Sequence, residues 1–248
     1  MRAPWRTTRN SHRFFECVVR HGAAVLWLAF AAVTSVSAQI SGTASLVSNY
    51  RVRGISLSEN KPAAQLGIAL DAADGWYAGA FASTVEFAIS PGRELQTVPF
   101  IGYAWRAADG LSWEAGTDYS FFTGKARNYD YPEVYFGVAS ENLSGRLYYS
   151  SHYFGQNAGA IYAEANGTHS LLDRVRLLAH LGILRSTGGT NNYGWPEHLF
   201  DGRVGLAADL DRFNVQLSWV ATSSTTAAYA TTGVRSRNGP LLTFSLLF

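Results

Sequence analysis

The chain is poor in cysteine and in charge. Its 248 residues include one cysteine, Cys17, and charged residues make up only 15%. Cys17 lies in an N-terminal segment that we expect to be removed, so the mature chain has no disulfide, thiol nucleophile or cysteine metal cluster. Beyond that segment, no apolar run approaches the roughly 20 residues that a membrane helix needs. Any part of the mature chain that spans a membrane must therefore be built from strands.

The N-terminal segment has the pattern of a secretory signal peptide. Five arginines and a single acid occupy its first 22 residues, and an apolar run of eleven residues follows from Ala23 to Val33. This run is too short to span a bilayer, and Val36 and Ala38 fit the small-residue cleavage rule. We predict that residues 1–38 are a signal peptide that is removed on export and that 39–248 form a single domain.

Removal of this segment reverses the charge balance. The chain has 20 Lys+Arg and 18 Asp+Glu residues, and residues 1–38 hold five of the former and one of the latter. The mature chain keeps 15 basic and 17 acidic residues and is therefore mildly acidic. No basic patch remains, so we expect no nucleic-acid partner. The spacing of histidines and carboxylates matches no metal motif, and we expect no cofactor.

Apolar and polar residues alternate in twelve segments of the mature chain. The segment from Trp113 to Phe121, for example, has Glu114, Asp118 and Ser120 on one face and mainly apolar residues on the other. Successive side chains of a strand point to opposite faces, so this pattern suits lipid outside and water inside. We predict an all-β fold: a transmembrane antiparallel β-barrel of about 12 strands, with both termini on the periplasmic side.

The alternation also predicts which face each strand turns outward. The first predicted strand runs from Gly42 to Gly54, with Tyr50 and Val52 facing outward. The third is predicted to turn its large apolar side chains towards lipid: Tyr77, Phe81, Val85 and Phe87. On this interpretation Glu86 faces the lumen.

The connections between predicted strands alternate in length. Short ones that contain Asp and Gly, such as 71–75 and 106–110, alternate with longer polar ones, of which 185–198 and 222–239 are the longest. Outer-membrane barrels have short periplasmic turns and longer outer loops. The alternation therefore favours a membrane barrel over a soluble sandwich. One periplasmic connection, 166–173, is predicted to be longer than the others.

The last eight residues are typical of the end of a bacterial outer-membrane barrel. Thr243 and Ser245 alternate with four apolar side chains: Leu242, Phe244, Leu246 and Phe248. Taken alone, this pattern also fits the closing strand of a soluble sheet. We expect this strand to be the signal through which the barrel-assembly machinery recognises the chain, and we expect the apolar face to contact outer-membrane lipid.

The start of the mature chain resembles a known family. Residues 48–56, SNYRVRGIS, are similar to the opening motif S-D/N-Y-x-x-R-G-x-S of the TorF family of proteobacterial porins. The segments GWYAG at 75–79 and EVY at 133–135 are similar as well, and the resemblance covers essentially the whole mature chain. Leu57 departs from the family, which often has a polar residue there. The resemblance implies an outer-membrane barrel that acts as a channel.

Charged side chains of both signs are predicted to line the lumen. The pore-lining candidates are Arg51, Arg53, Glu86, Glu114, Asp118, Glu133, Arg146, Glu164, Arg174, Arg176 and Arg203. In a water-filled channel such charges attract counter-ions and set selectivity. The alternative is that they pair with one another and fill the interior.

We predict a porin-like channel for passive diffusion of small hydrophilic solutes or ions, and the sequence gives no indication of its oligomeric state. One alternative is a non-conducting barrel that acts through its surface loops. Another is an enzyme that acts on membrane lipid, which the sequence favours least. Ser151 and His152 are predicted to be neighbours on one strand and thus to point to opposite faces. His180 and His198 could pair with another serine, but with six histidines in the chain such partners are expected by chance. We therefore expect no enzymatic activity.

Overall fold

The computed structural model describes five stretches of the chain: residues 38–87, 90–108, 110–187, 198–223 and 237–248. Nearly all of the predicted signal peptide lies outside the described residues, as do most of the two longest predicted loops. No helix within the described stretches is long and apolar enough to cross a membrane. These stretches also contain two short 3-10 helices, Gly124–Tyr129 and Tyr153–Gly155.

Strands dominate the described residues. They are β1 Gln39–Val47, β2 Arg51–Val52, β3 Ile55–Ser56, β4 Ala63–Asp71, β5 Trp76–Phe87, β6 Ser90–Arg106, β7 Ser112–Phe122, β8 Tyr131–Ala139, β9 Leu143–Ser150, β10 Ala160–Leu172, β11 Val175–Ser186, β12 His198–Leu210, β13 Phe213–Thr222 and β14 Gly239–Leu247. Twelve of these strands, β1 and β4 to β14, form one closed antiparallel barrel, whereas β2 and β3 form a separate two-stranded sheet. The predicted all-β barrel of 12 strands is confirmed.

The barrel closes where the first strand meets the last. β1 pairs with β14 from Thr43↔Leu247 to Val47↔Thr243. Gly42 and Phe248 extend this seam with two backbone hydrogen bonds of 2.7 and 3.0 Å. The ring of Phe248 covers Gly42 so closely that a Cβ there would lie 2.4 Å from Cε2 of the ring. Closure leaves no strand edge to pair with another chain.

The two ends of the barrel differ in their connections. Gln39 and Phe248 lie at the same end, which we call the terminal rim, and the opposite end is the loop rim. Connections at the terminal rim are short, and 173–174 and 211–212 are two-residue turns. The long connection predicted at 166–173 is wrong, because β10 continues to Leu172 and stays paired with β11. Polar residues lie on both faces of this part of β10, so the sequence does not show the alternation that indicates a strand.

The outer face of the barrel is apolar. Leu181 and Leu217, near the middle of their strands, are 71% and 60% exposed. Aromatic side chains on the outer face concentrate near the two rims. Those near the terminal rim include Trp76, Tyr103, Trp105, Trp113 and Phe213, and those near the loop rim include Tyr119, Phe121, Tyr149, Phe200 and Trp219. Such paired aromatic bands mark the two interfaces of a membrane.

The separation of the two bands fits a bilayer. Trp113 and Phe121 lie on the same face of β7, one in each band. Eight residues of strand span about 27 Å, and a tilt of about 40° reduces this to about 20 Å along the barrel axis. The apolar band of outer-membrane barrels is roughly 25 Å tall. The outer surface therefore has the height and composition of a lipid-facing belt.

The face predicted for β5 is wrong. Tyr77, Phe81, Val85 and Phe87 are at most 7% exposed and point into the barrel. Three alanines occupy the outer face instead: Ala78, Ala80 and Ala82. Both faces of β5 are apolar, and the interior beside it is packed with aromatic rings, so the larger side chains point inward.

The first strand is also shorter than predicted. β1 ends at Val47, and the chain then leaves the wall and enters the lumen. Tyr50 and Val52, predicted to face outward, are buried inside the barrel. The continued alternation beyond Val47 belongs to the short hairpin of β2 and β3 and not to the wall.

Candidate functional site

The β2–β3 hairpin occupies the centre of the barrel. Its strands pair Arg51 with Ser56 and Val52 with Ile55. Its tip consists of Arg53 and Gly54, with φ of 51° and 77°, and two consecutive positive φ angles are typical of a type I′ turn. A non-glycine residue in this conformation costs about 1–2 kcal/mol. Contacts of the Arg53 side chain must offset that cost.

Glycine is required at the tip because the hairpin approaches the barrel wall closely there. A Cβ on Gly54 would lie 2.7 Å from Cβ of Asp201 and 3.0 Å from Cβ of Thr222. These residues belong to β12 and β13. The tip of the hairpin therefore lies against the wall at β12 and β13, and β12 is two strands from β10, which carries Tyr162.

Arg53 is held by a carboxylate and three aromatic rings. Its Nη2 donates to both carboxylate oxygens of Glu133, at 2.8 and 2.7 Å. Its guanidinium carbon lies 5.1, 4.8 and 4.4 Å from the ring centroids of Tyr148, Tyr153 and Tyr162. We call Glu133 and these three tyrosines the Arg53 cage. It combines an ion pair with cation–π contacts in a buried site.

A second buried ion pair lies beside the cage. Arg146 donates through Nε to Glu114 at 2.8 Å, and its Nη2 also contacts this carboxylate. The Tyr148 hydroxyl accepts from Nη1 of Arg146 at 2.9 Å, and the Tyr77 hydroxyl donates to Glu114 at 2.8 Å. Tyr148 thus contacts both buried arginines and couples the two pairs.

Carboxylates outnumber arginines in this buried layer. Among the described residues, the buried carboxylates are Glu114, Asp118, Glu133, Glu164 and Asp201, and the buried guanidinium groups are those of Arg53 and Arg146. The carboxylate of Asp201 is partnered by His180 at 2.9 Å and by the Tyr162 hydroxyl at 3.1 Å. The layer therefore has an excess of acidic groups and favours cations over anions.

Asp118 is a buried carboxylate beside the Arg53 cage. It is 6% exposed, and no described group lies within hydrogen-bond distance of its carboxylate. It lines a cavity of about 20 Å³ together with Arg53, Ser120 and Gln96, which is room for about one water molecule. The nearby Glu133 adds like charge, and Arg53 and Arg146 offset it from a distance.

Aromatic rings cap the layer on the side of the loop rim. Tyr131 packs on Tyr153 and Phe154 with centroids 4.9 Å apart in both cases. Phe122 and Phe87 continue this cluster. Below the cap, the Tyr50 hydroxyl donates to Gln96 at 2.9 Å. Burial raises the pKa of Tyr50 far above its ordinary value, so it stays protonated and remains a donor.

Towards the terminal rim the interior is more open. Several inward-facing side chains there are polar and only partly buried: Thr43, Ser45, Gln65, Asn166, Gln216 and Thr243. Arg176 pairs with Asp209 in this region through Nε at 2.8 Å and Nη2 at 3.0 Å. The described interior thus has an open, polar half and a filled half that contains the hairpin.

The structure brings six of the predicted pore-lining residues into the filled layer: Arg53, Glu114, Asp118, Glu133, Arg146 and Glu164. Arg176 and Arg203 face the interior nearer the terminal rim, and Arg51 lies at the mouth, where it donates to the Gly54 carbonyl at 3.0 Å. Two candidates are not inside the barrel. Glu86 lies on the outer face of β5 and pairs with Lys61 at 2.5 Å, and Arg174 lies in an exposed turn.

The aromatic and acidic partners of these charges are site residues that the strand pattern alone did not predict. Tyr148 and Tyr162 each lie two residues from a predicted pore-lining residue, Arg146 and Glu164 respectively, and so share its face. Asp201 likewise lies two residues from Arg203 and shares its face. The two-residue spacing could have identified all three.

One prediction about histidine is wrong. Ser151 and His152 lie beyond the end of β9, in an exposed bend, and Ser151 Oγ is 2.9 Å from His152 Nδ1. They contact each other because the strand alternation no longer applies there. No carboxylate within the described residues pairs with this histidine. His180 has both ring nitrogens engaged, by Asp201 and by Asn166 at 2.8 Å.

The described side chains form no group of three or more His, Cys, Asp or Glu residues that could hold a metal ion. Comparison with known proteins identifies the family instead. A family model described as "Bacterial protein of unknown function (Gcw_chp)" matches residues 31–246. The chain belongs to the Gcw_chp family. This family description assigns no activity, and membership of the TorF family stays a prediction. No curated protein matches this Gcw_chp chain.

Two solved structures share the barrel architecture. The KdgM porin in complex with disordered oligogalacturonate is 11% identical with a TM-score of 0.52, and the match covers 84% of this chain and 97% of that chain. The NanC porin is 10% identical with a TM-score of 0.54, covering 84% of this chain and 98% of that chain. At this identity the similarity concerns the fold.

Proposed function

We propose that the protein is an outer-membrane, porin-like channel for passive diffusion of small hydrophilic solutes or ions. The observation that carries this proposal is a closed barrel of 12 strands with an apolar outer belt and a polar, charged interior. The porin names of the two structural neighbours support it. The terminal rim, with its short turns, would face the periplasm after removal of residues 1–38.

The inserted hairpin sets the expected properties of the channel. It fills the centre of the lumen in the half nearer the loop rim, so a solute must pass this narrow layer before it reaches the half lined by small polar side chains such as Thr43, Ser45 and Thr243. The excess of buried carboxylates disfavours polyanions. We therefore expect a small conductance with a preference for cations.

The lipid contacts and the assembly route are part of the same proposal. The outer belt would contact outer-membrane lipid directly. The C-terminal strand, with Leu242, Phe244, Leu246 and Phe248 on its outer face, would be the segment that the barrel-assembly machinery recognises. We propose no catalytic role for Ser151 and His152.

A second candidate function is favoured by the filled half of the interior: a non-conducting barrel that acts through its loops. Single-channel recording in a planar bilayer separates the two. The protein is first shown to be folded by β-type circular dichroism and heat-modifiable gel mobility. Stepwise openings with a cation preference support the channel, whereas silence from folded protein overturns it and favours the second candidate.

A further inference from the structure

The Arg53 cage has the chemistry of a cation-binding site. Three tyrosine rings surround one guanidinium group within 4.4–5.1 Å of its central carbon. Glu133 supplies the counter-charge. Planar, weakly hydrated guanidinium groups are the cations best suited to stacking on aromatic rings while donating to a carboxylate.

The group that fills the cage lies on a segment that is separate from the wall strands. Within the described chain, β2 and β3 form strand ladders only with each other. A backbone hydrogen bond of 2.9 Å from Glu86 to Leu57 ties the base of the hairpin to β5. The tip is held by the packing of Val52 and Ile55 in the core and by the side-chain contacts of Arg53. The cage and its occupant therefore belong to different elements of the fold.

The electrostatics of the layer would remain favourable to a cation without Arg53. Five buried carboxylates would then face the single guanidinium group of Arg146. Asp118, which is buried and has no described hydrogen-bond partner, lines the cavity beside the cage. An external cation in the cage would thus meet two carboxylates, Glu133 and Asp118.

We propose that the Arg53 cage is a binding site for small cations that bear a guanidinium group, and that the β2–β3 hairpin fills this site with its own arginine. The hairpin acts as an internal ligand and competes with external cations. The existence of the site does not depend on conduction, but its use by a diffusing solute rests on the proposed channel function.

The test uses Arg53→Gly in the full barrel. Glycine adopts the positive φ of residue 53 without strain, so this variant removes the side chain and keeps the turn. Guanidinium chloride, at concentrations far below those that unfold proteins, is titrated into the folded protein in detergent and followed by calorimetry, with sodium chloride as the ionic-strength control. Arg53→Asn replaces this variant if it does not fold, because asparagine also tolerates positive φ.

The expected result is binding to Arg53→Gly at least about tenfold tighter than to the wild type, in which the hairpin fills the cage. Glu133→Gln in the same background should weaken this binding about tenfold or more. Arg176→Gln is the matched control, because it also deprives a carboxylate, Asp209, of its arginine but offers no cage of tyrosines. It should bind guanidinium no more tightly than the wild type.

Two results have distinct meanings. A folded Arg53→Gly barrel that binds guanidinium no better than Arg176→Gln overturns the site. Guanidinium binding as expected, with no conductance from any variant in a planar bilayer, supports the site and overturns the channel proposal. If the channel conducts, guanidinium should block Arg53→Gly and leave the wild type unaffected.

Discussion

Individual charged residues in the barrel interior depend on specific partners. Glu114 is the clearest case, because it accepts from Arg146 and from the Tyr77 hydroxyl in a site sealed from solvent. Removing one partner of a buried ion pair leaves the other charge uncompensated in a medium of low polarity. This penalty is larger than the stability that the intact ion pair provides relative to a pair of apolar side chains.

Glu114→Gln is predicted to destabilise the barrel strongly. The amide keeps the shape of the side chain but leaves Arg146 buried without a counter-ion, and we expect a loss of about 3–5 kcal/mol in the free energy of unfolding. Urea titration of the barrel in lipid vesicles measures it. Asp74→Asn, in an exposed turn, should stay within about 0.5 kcal/mol of the wild type. Equal stability of the two variants would contradict the role given to the pair.

At this scale, strand alternation could predict some of the site. It places Arg146 and Glu133 on inward faces because both lie in regular strands, and the structure buries both. Their part in conduction stays a prediction. Alternation could not reveal that Arg53 pairs with Glu133, since the two are 80 residues apart and one belongs to a hairpin away from the wall.

At the scale of single elements, β5 and the β2–β3 hairpin show where alternation fails. A period of two defines two faces but does not tell which one is inside when both are apolar, as on β5. In the hairpin the alternation is genuine, but it describes a separate two-stranded sheet. The sequence gives little sign that the chain leaves the wall at Ser48. In both cases the packing of the folded chain determines which side chains lie inside the barrel.

Replacement of the hairpin tests its role in the lumen. Leu57 donates a backbone hydrogen bond of 2.8 Å to the Tyr50 carbonyl. Two glycines in place of residues 51–56 would close a four-residue β-turn across this bond. We expect a folded barrel with a conductance several-fold higher than that of the wild type, measured in planar bilayers.

The control for the hairpin replacement changes a turn at the opposite end of the barrel. Asp173→Gly combined with Arg174→Gly introduces the same two glycines into the exposed turn between β10 and β11. Conductance should be unchanged in this variant. A hairpin replacement that folds and conducts like this control would show that the hairpin does not restrict the lumen.

At the scale of the whole molecule, the fold was predictable because independent signals agreed. Twelve alternating segments, connections of alternating length and an apolar last strand all indicate a barrel. Each signal is weak alone, and an error in one strand, such as the phase of β5, does not alter the strand count. The filled half of the lumen was not predictable, since it arises from contacts among many strands.

The orientation of the belt can be tested with two adjacent residues of β13. Leu217 points outward and is 60% exposed, whereas Gln216 points into the open half of the lumen. Leu217→Arg should cost about 2–4 kcal/mol because it places a charge near the middle of the lipid-facing belt. Gln216→Arg should be tolerated, since its side chain reaches water. Urea titration in vesicles compares them, and equal losses would exclude a lipid-facing belt.

The place of the hairpin in the chain has a consequence for the order of assembly. β2 and β3 directly follow β1, and β1 forms the seam with β14. Ser48, the first residue after β1, is bonded to Leu242 of β14 through its backbone and its hydroxyl, at 2.9 and 3.0 Å. The last step that joins the two ends of the chain therefore also fixes the root of the hairpin. We expect the barrel to enclose its own internal ligand as it closes, so that a newly formed barrel enters the membrane with its lumen already narrowed.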